Sequence, residues 1–169
     1  GGAVGNGKAA GLALAAAGAK VVLADDADRI SQYAVNLPDG VETLVLDVKS
    51  EDAVKSGVAD VIARHGGIDI LVNGAVINHN KPFLEMTSGD WDEVQSINAR
   101  SVFLLTHAVI PSMQKRGGGR IISLTTIGSV HPVLNGNAAY GPSRAALNHL
   151  MRNIALDFAA DNITANSVL

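Results

Sequence analysis

Gly1-Gly2-Ala3-Val4-Gly5-Asn6-Gly7-Lys8-Ala9-Ala10 opens the chain, and the reading of these ten residues decides the fold. Within them, Gly5-x-Gly7-x-x-Ala10 has the spacing of a dinucleotide-binding turn. One glycine permits a tight bend, the next lets backbone approach a pyrophosphate, and a small third residue lets helix and strand pack closely. Free N–H groups at the start of the following helix suit phosphate charge. Lys8 to Ala17 is rich in Ala and Leu and stops at Gly18, and Lys20-Val-Val-Leu-Ala24 then reads as a strand running into Asp25 and Asp26. A carboxylate at Asp25, eighteen residues after Gly7, can accept hydrogen bonds from both hydroxyls of an adenosine ribose. It would repel a 2′-phosphate, which favours NAD over NADP. The same stretch competes for a second reading, because Gly2 to Lys8 matches the first seven positions of a P-loop. The eighth position is Ala9, which lacks the hydroxyl that holds Mg²⁺.

Working outward, short β-rich runs alternate with helix-length segments, the pattern of a parallel sheet covered by helices. Val41 to Leu46 is the next strand, ending at Asp47. Ser50-Glu-Asp52 supplies a cap and acidic first turn for a helix to about His65, and Ile68 to Val72 is the following strand. A long helix is expected from about Ser88 to Val109, before Pro111, then a strand from Arg120 to Leu124. The last helix, about Ser143 to Ala160, carries Leu147, Leu150, Met151, Ile154, Ala155 and Phe158 on one face, for sheet packing or for a subunit interface. Ile163 to Val168 closes the series as a strand. The fold class is therefore α/β, a doubly wound parallel sheet of the three-layer Rossmann type. A glycine turn that opens a helix should follow a strand, and none precedes Gly1. The first, central strand and the C-terminal part are expected to be absent, leaving residues 1–169 as one incomplete dinucleotide-binding domain.

Composition narrows the function classes. The 169 residues are 47% hydrophobic and 17% charged, enough for one packed core and wrong for a disordered chain. A net charge of -3 gives no general attraction to nucleic acid or anionic membrane. The absence of cysteine excludes thiol chemistry and disulfides and is compatible with a cytoplasmic location. Ala9 to Ala19 between Lys8 and Lys20 is too short to span a bilayer, and a strand-like segment directly after it argues against a signal peptide.

Tyr140-Gly-Pro-Ser-Arg144 follows a strand that ends in hydroxyl residues. With the glycine-rich start, this pattern resembles the short-chain dehydrogenases/reductases of classical type, and the resemblance runs along the whole chain in the family's order. Gly1, Gly5 and Gly7, with Asn6 between, match the glycine motif; Asp25 matches the acid after the second strand; Asp47 and Val48 match the adenine-contacting pair. Asn73, Gly74 and Ala75 occupy the family's Asn-Asn-Ala-Gly position, Asn98 its structural and proton-relay asparagine, and Thr126 its catalytic serine. Tyr140 and Arg144 occupy the Tyr-x-x-x-Lys pair, which serves catalysis and cofactor binding alike.

The resemblance implies hydride transfer between NAD(H) and a secondary alcohol or carbonyl compound. Tyr140 would be the general acid or base, Thr126 a hydrogen-bond partner of the substrate oxygen, Arg144 the cation beside the tyrosine, and Asn98 the holder of a water behind it. It also implies a homo-oligomer, built on the long helix and the last one, and a small-molecule substrate rather than nucleic acid or membrane. Three residues depart from the family pattern. Arg144 stands for lysine, keeping the charge but not the shape, so a dinucleotide-binding protein without turnover is the second reading. Thr126 stands for serine and adds a methyl. Gly74 and Val76 alter the Asn-Asn-Ala-Gly segment. His65, His79, His107, His131 and His149 show no metal-binding spacing, though His79 and His131 fall in loops on the side where ligands bind. Trp91 and Phe103 are expected to pack the long helix against its neighbours.

Overall fold

The computed structural model describes all residues from Gly1 to Leu169. The glycine turn runs into helix α1 (Gly5–Ala16), which starts earlier than the Ala/Leu run suggests because Gly5 takes a positive φ of 60° that bends the chain straight into the first turn. Strand β1 (Val21–Asp25) follows, then a short helix α2 (Ala27–Tyr33) that the sequence reading did not anticipate. Its signal is the cap: Asp26 accepts the Arg29 amide at 2.9 Å. Strand β2 (Val41–Val45) leads to helix α3 (Glu51–His65), capped by Ser50 accepting the Ala53 amide at 3.2 Å and stopped by Gly66 in the left-handed region.

Strand β3 (Ile70–Asn73) is followed by helix α4 (Ser88–Gln95), a π-helical turn (Ser96–Arg100) and helix α5 (Ser101–Lys115). The expected single helix is thus interrupted by one wide turn, and it does not stop before Pro111 but runs through it. Pro111 cannot donate to the His107 carbonyl, yet both residues face solvent, where water can satisfy that carbonyl. Buried Ile110, Ser112 and Met113 hold the helix together around it. Strand β4 (Gly119–Leu124), helix α6 (Tyr140–Asp157) and strand β5 (Ile163–Val168) complete the chain. Helix α6 begins three residues earlier than expected, because Pro142 falls in the first turn, where its missing N–H costs nothing.

Every strand pair is parallel. β1 pairs with β2, and β4 sits between β3 and β5, giving sheets of two and three strands. No ladder joins β1 to β3. A cavity of about 570 Å³ lies there, walled by Val22, Leu23 and Ala24 on one side and by Ile70, Leu71 and Val72 on the other. Gly1 and Gly2 enter beside β1, where the Gly2 amide donates to the Ala24 carbonyl at 2.9 Å.

The main core is shared by α3, α5, α6, β4 and β5, with Val54, Val102, Val109, Met113, Ile121, Leu147 and Met151 all but inaccessible. Each such side chain contributes roughly 1.5–3 kcal/mol of burial. The apolar face of α6 belongs to this core: Leu147, Met151 and Ile154 are buried, and Leu150, Ala155 and Phe158 pack against them. That decides between the two uses left open for it. Trp91 and Phe103 do not pack inward as expected; they are 40% and 51% exposed. Phe103 instead meets His107 one turn on, with ring centroids 5.8 Å apart, as i and i+4 positions on one solvent-facing stripe allow. No helix is long and apolar enough to cross a membrane.

Candidate functional site

Three segments interlock at the start of the chain. A Cβ placed on Gly1 would collide with the backbone of Gly74 and Ala75, and one on Gly7 would overlap the Gly1 carbonyl. A Cβ on Gly74 would come within 3.3 Å of the Gly7 Cα. The glycine turn therefore lies directly on the segment after β3, and Gly74 suits a place where a larger side chain would press on the turn. Asn6 is exposed at the helix start, beside the N–H groups that remain free there.

Beneath this seam is a second cavity, of about 340 Å³, to which Gly1, Asp25, Asp47, Val48 and Ala75 all contribute. Asp25 is 4% exposed. Its Oδ2 accepts the Ala3 amide and its Oδ1 the Asp26 amide, each at 3.0 Å, and the Gly1 amino group lies 3.1 Å from Oδ2. Burial works against charging Asp25. The Ala3 and Asp26 amides work the other way, and the pKa lies below the usual carboxylate value. Two bonds leave an ionised carboxylate with further acceptor positions for hydroxyl donors. Asp47 is exposed and closes a turn by accepting the Lys49 amide at 2.9 Å, while Val48 packs on the core. Arg29 also lines this cavity, a cation the sequence reading passed over; its place in the first turn of α2 becomes visible only once that helix is recognised. Lys8 does not reach into the turn as a P-loop lysine would; its ammonium donates to the Tyr33 carbonyl.

Asn73 is buried, with its amide donating to Ser123 Oγ across the β3–β4 ladder at 3.3 Å and its Oδ1 without a partner. Beyond it the chain runs past Asn98, which the π-helical turn places in a fully buried position. Its Oδ1 accepts the Ile77 amide at 2.9 Å, and its Nδ2 donates to the Ile77 carbonyl at 2.9 Å and to Ser143 Oγ at 3.1 Å. Both amide hydrogens are used within the protein. The side chain thus holds a loop to a helix, and neither hydrogen is left over for a water.

Thr126 caps a short turn (Ile127–Ser129), its Oγ1 accepting the Gly128 amide at 3.2 Å. That turn lies against the start of α6: a Cβ on Gly141 would sit 3.2 Å from the Gly128 carbonyl, and Asn148 donates to Ser129 Oγ at 2.7 Å. Tyr140 and Arg144 are in the first turns of α6, so their helix and the Thr126 turn are packed side by side. The Arg144 guanidinium is 3% exposed, with its Cζ 5.7 Å from the centre of the Tyr140 ring. It donates to the Ala75 carbonyl at 3.4 Å, and its Nε has no partner. Burial pushes its pKa below the usual guanidinium value, with Tyr140 pulling the other way.

His79 sits 2.7 Å from Glu93 in the loop after β3, and no group of metal-binding side chains forms anywhere. Asn78 donates to Asn137 at 2.9 Å, and Lys81 N–H to the Gly136 carbonyl at 3.1 Å. These bonds join the loop after β3 to the segment leading into Tyr140.

Glycine turn, buried acid, asparagine, hydroxyl turn and Tyr-x-x-x-Arg helix thus converge at one end of the strands. A family profile described as enoyl-(acyl carrier protein) reductase matches residues 1–169. The chain belongs to the short-chain dehydrogenase/reductase family. It is 39% identical over 98% of its length to a 7alpha-hydroxysteroid dehydrogenase of Clostridium sardiniense, covering 65% of that protein. It is 33% identical to the 3-oxoacyl-(acyl-carrier-protein) reductase FabG of Thermotoga maritima, covering 99% of this chain and 70% of the other. Among solved structures, a short-chain dehydrogenase from Streptomyces avermitilis superposes with a TM-score of 0.90 at 28% identity, over 99% of this chain and 61% of that one. The chain therefore spans less than two thirds of some short-chain dehydrogenases/reductases it matches. The Rossmann-like α/β fold and the oxidoreductase family follow from these likenesses together with the geometry above.

Proposed function

We propose that this short-chain dehydrogenase/reductase binds NAD(H) and transfers hydride between it and a secondary alcohol or carbonyl compound. The observation that carries this reading is the packing of the Tyr140–Arg144 turn between the Thr126 turn and the Gly74–Ile77 loop, which itself lies on the glycine turn. The residues present fit a dinucleotide. The cavity holding Asp25 and Val48 has the size and polarity for an adenosine, and the unpartnered Nε of Arg144 is a buried donor in need of an acceptor such as a ribose hydroxyl. When bound, the nicotinamide supplies the hydride or receives it. Tyr140 gives a proton to the substrate oxygen in reduction and takes it in oxidation. Thr126 orients that oxygen through its hydroxyl. Arg144 keeps a positive charge against the tyrosine ring in either direction, because a guanidinium stays protonated.

Asp25 supports NAD over NADP, since a second negative charge would have to enter beside a buried carboxylate. The substrate reading points to an alcohol or ketone on an apolar frame. Ile127, Val130, Val133 and Leu134, all at least half exposed, line the stretch between Thr126 and Tyr140. The hydroxysteroid dehydrogenase among the relatives makes a sterol-like secondary alcohol the first compound to try. As a further part of the reading, two copies associate through the solvent-facing stripe that carries Trp91 and Phe103, and the absence of cysteine suits a reducing cytoplasm.

The test is thermal unfolding with NADH, with NADPH and with ATP plus Mg²⁺, followed by nicotinamide absorbance with a panel of apolar secondary alcohols. Ligand at about 100 times its dissociation constant should add roughly 2.7 kcal/mol. A rise with NADH that exceeds the rise with NADPH supports the assignment, and turnover of any panel member establishes the reaction. Binding of NADH with no turnover by any alcohol or ketone would leave the binding-protein reading, which the arginine at position 144 favours.

A further inference from the structure

Between Tyr140 and Arg144 lies Ser143, to which the motif gives no task. It is fully buried, in the first turns of a helix whose neighbouring residues face the candidate site. Its hydroxyl has one hydrogen, which it donates to the Tyr140 carbonyl at 2.7 Å. It can therefore only accept from Asn98 Nδ2, at 3.1 Å. The Ile77 amide and carbonyl set which way the Asn98 amide faces, and Ser143 takes the remaining Nδ2 hydrogen, so that the side chain is held from both ends. The chain of bonds runs from the backbone of Ile77, through Asn98, through Ser143, to the backbone of Tyr140. A parallel tie joins the same two elements one step away, where Arg144 reaches the Ala75 carbonyl. Gln95, at the end of α4, also holds the start of α6 by donating to the Ala139 carbonyl at 3.1 Å.

We propose that Ser143 is a positioning residue: by anchoring the Asn98 amide to the Tyr140 carbonyl, its hydroxyl sets the distance between the Gly74–Ile77 loop and the turn that carries Tyr140 and Arg144. This rests on the reading of the site given above. Its physical basis is that the loop touches the cofactor side through Gly74 and the helix carries the proton-transfer group, so the two must be held in register. Small misplacements of reacting groups cost rate far more than they cost binding. Without the serine hydroxyl, one Asn98 N–H is left buried without a partner, and the site gains by admitting water or by letting the Asn98 side chain and the Ile77 backbone it holds shift.

Ser143→Ala and Ser143→Thr are the variants, because threonine keeps the hydroxyl. Two readouts are used: steady-state kinetics with NADH affinity measured separately, and hydrogen exchange of the Ile77 amide. In Ser143→Ala the Ile77 amide should exchange at least about tenfold faster, with amides of β4 unchanged. kcat should fall about tenfold, with NADH affinity and substrate KM within twofold of the parent. Ser143→Thr should recover most of both. Unchanged Ile77 exchange in Ser143→Ala overturns the proposal. So does a loss spread equally over kcat, KM and NADH affinity that threonine does not recover, which would mark a packing role alone. A parent without turnover on any substrate would count against the oxidoreductase reading, while Ile77 exchange would still decide whether Ser143 governs the clamp.

Discussion

The Asp25 carboxylate accepts the amide of Ala3 at 3.0 Å, tying the end of β1 to the glycine turn. In the proposed reading one residue thereby does two jobs, holding the turn that would face a pyrophosphate and presenting charge to a ribose. Asp25→Asn should weaken NADH binding and also the fold. A hydrogen bond to a buried charged group is worth roughly 1.5–3 kcal/mol, and loss of that order is expected at neutral pH. The pH dependence has a definite sign. The folded-state pKa is held below the unfolded value of about 3.9, so the contribution is complete above that value. It disappears as pH falls through the folded-state pKa. Urea unfolding of parent and variant should differ at pH 7 and converge in acid. A constant gap across that range would remove the carboxylate charge from the explanation.

Gly7 and Gly89 form a matched pair. A Cβ on Gly7 would overlap the Gly1 carbonyl, whereas one on Gly89, in α4, meets only Thr87 Oγ1 at 3.7 Å. Gly7→Ala should lose roughly 1–3 kcal/mol and most NADH affinity, because the turn must open to admit the methyl. Gly89→Ala should gain about 0.4–1 kcal/mol by restricting the unfolded chain. Chemical denaturation of both variants checks this, and equal effects would mean that the close approach at Gly7 is relaxed in solution.

The glycine turn, the strand after it, the Ser50 cap and the apolar face of α6 were legible because each is a local pattern with a local cause. The π-helical turn was not. Its cost is met by burying Asn98 against Ile77 and Ser143, contacts 21 and 45 residues away that no window on the sequence contains. Trp91 and Phe103 misled for the opposite reason: large apolar side chains are usually inside, and only the packing of α4 and α5 shows that this stripe faces out. Gly74 reads only as a departure from the family pattern in the sequence, whereas the structure gives it a steric reason in Gly7. Helix α2 is a single capped segment of seven residues without a buried face, so no periodicity announced it.

Arg144 is buried with an unpartnered Nε and packs over Tyr140. An ammonium at this position would be more compact, with three rotatable donors in place of a planar fork. Arg144→Lys should therefore raise kcat with any substrate the parent turns over, while NADH affinity changes by no more than a few fold. Stopped-flow reduction and equilibrium NADH binding separate the two effects. A variant with lower kcat than the parent would show that the site is built around the guanidinium and that lysine is the foreign residue here.

β4 is hydrogen-bonded on both sides, and its Ile121 and Ser123 are fully inaccessible. β1 is paired on one side only, with the cavity of about 570 Å³ along the other. Strand edges facing a void have fewer contacts to lose when they open, so the β1–β2 pair should open before the three-stranded sheet. Amides of β1 and β2 should exchange much faster than those of Ile121 and Ile122, and thermal unfolding followed by circular dichroism should be broad rather than a single sharp step. NADH should narrow the difference, since Asp25 and the glycine turn belong to the weaker half while Ala75 and Arg144 belong to the stronger, and a dinucleotide bound as proposed would span both. Equal protection of β1 and β4 in the free protein would mean that the two sheets close on each other in solution and that the opening between them is filled.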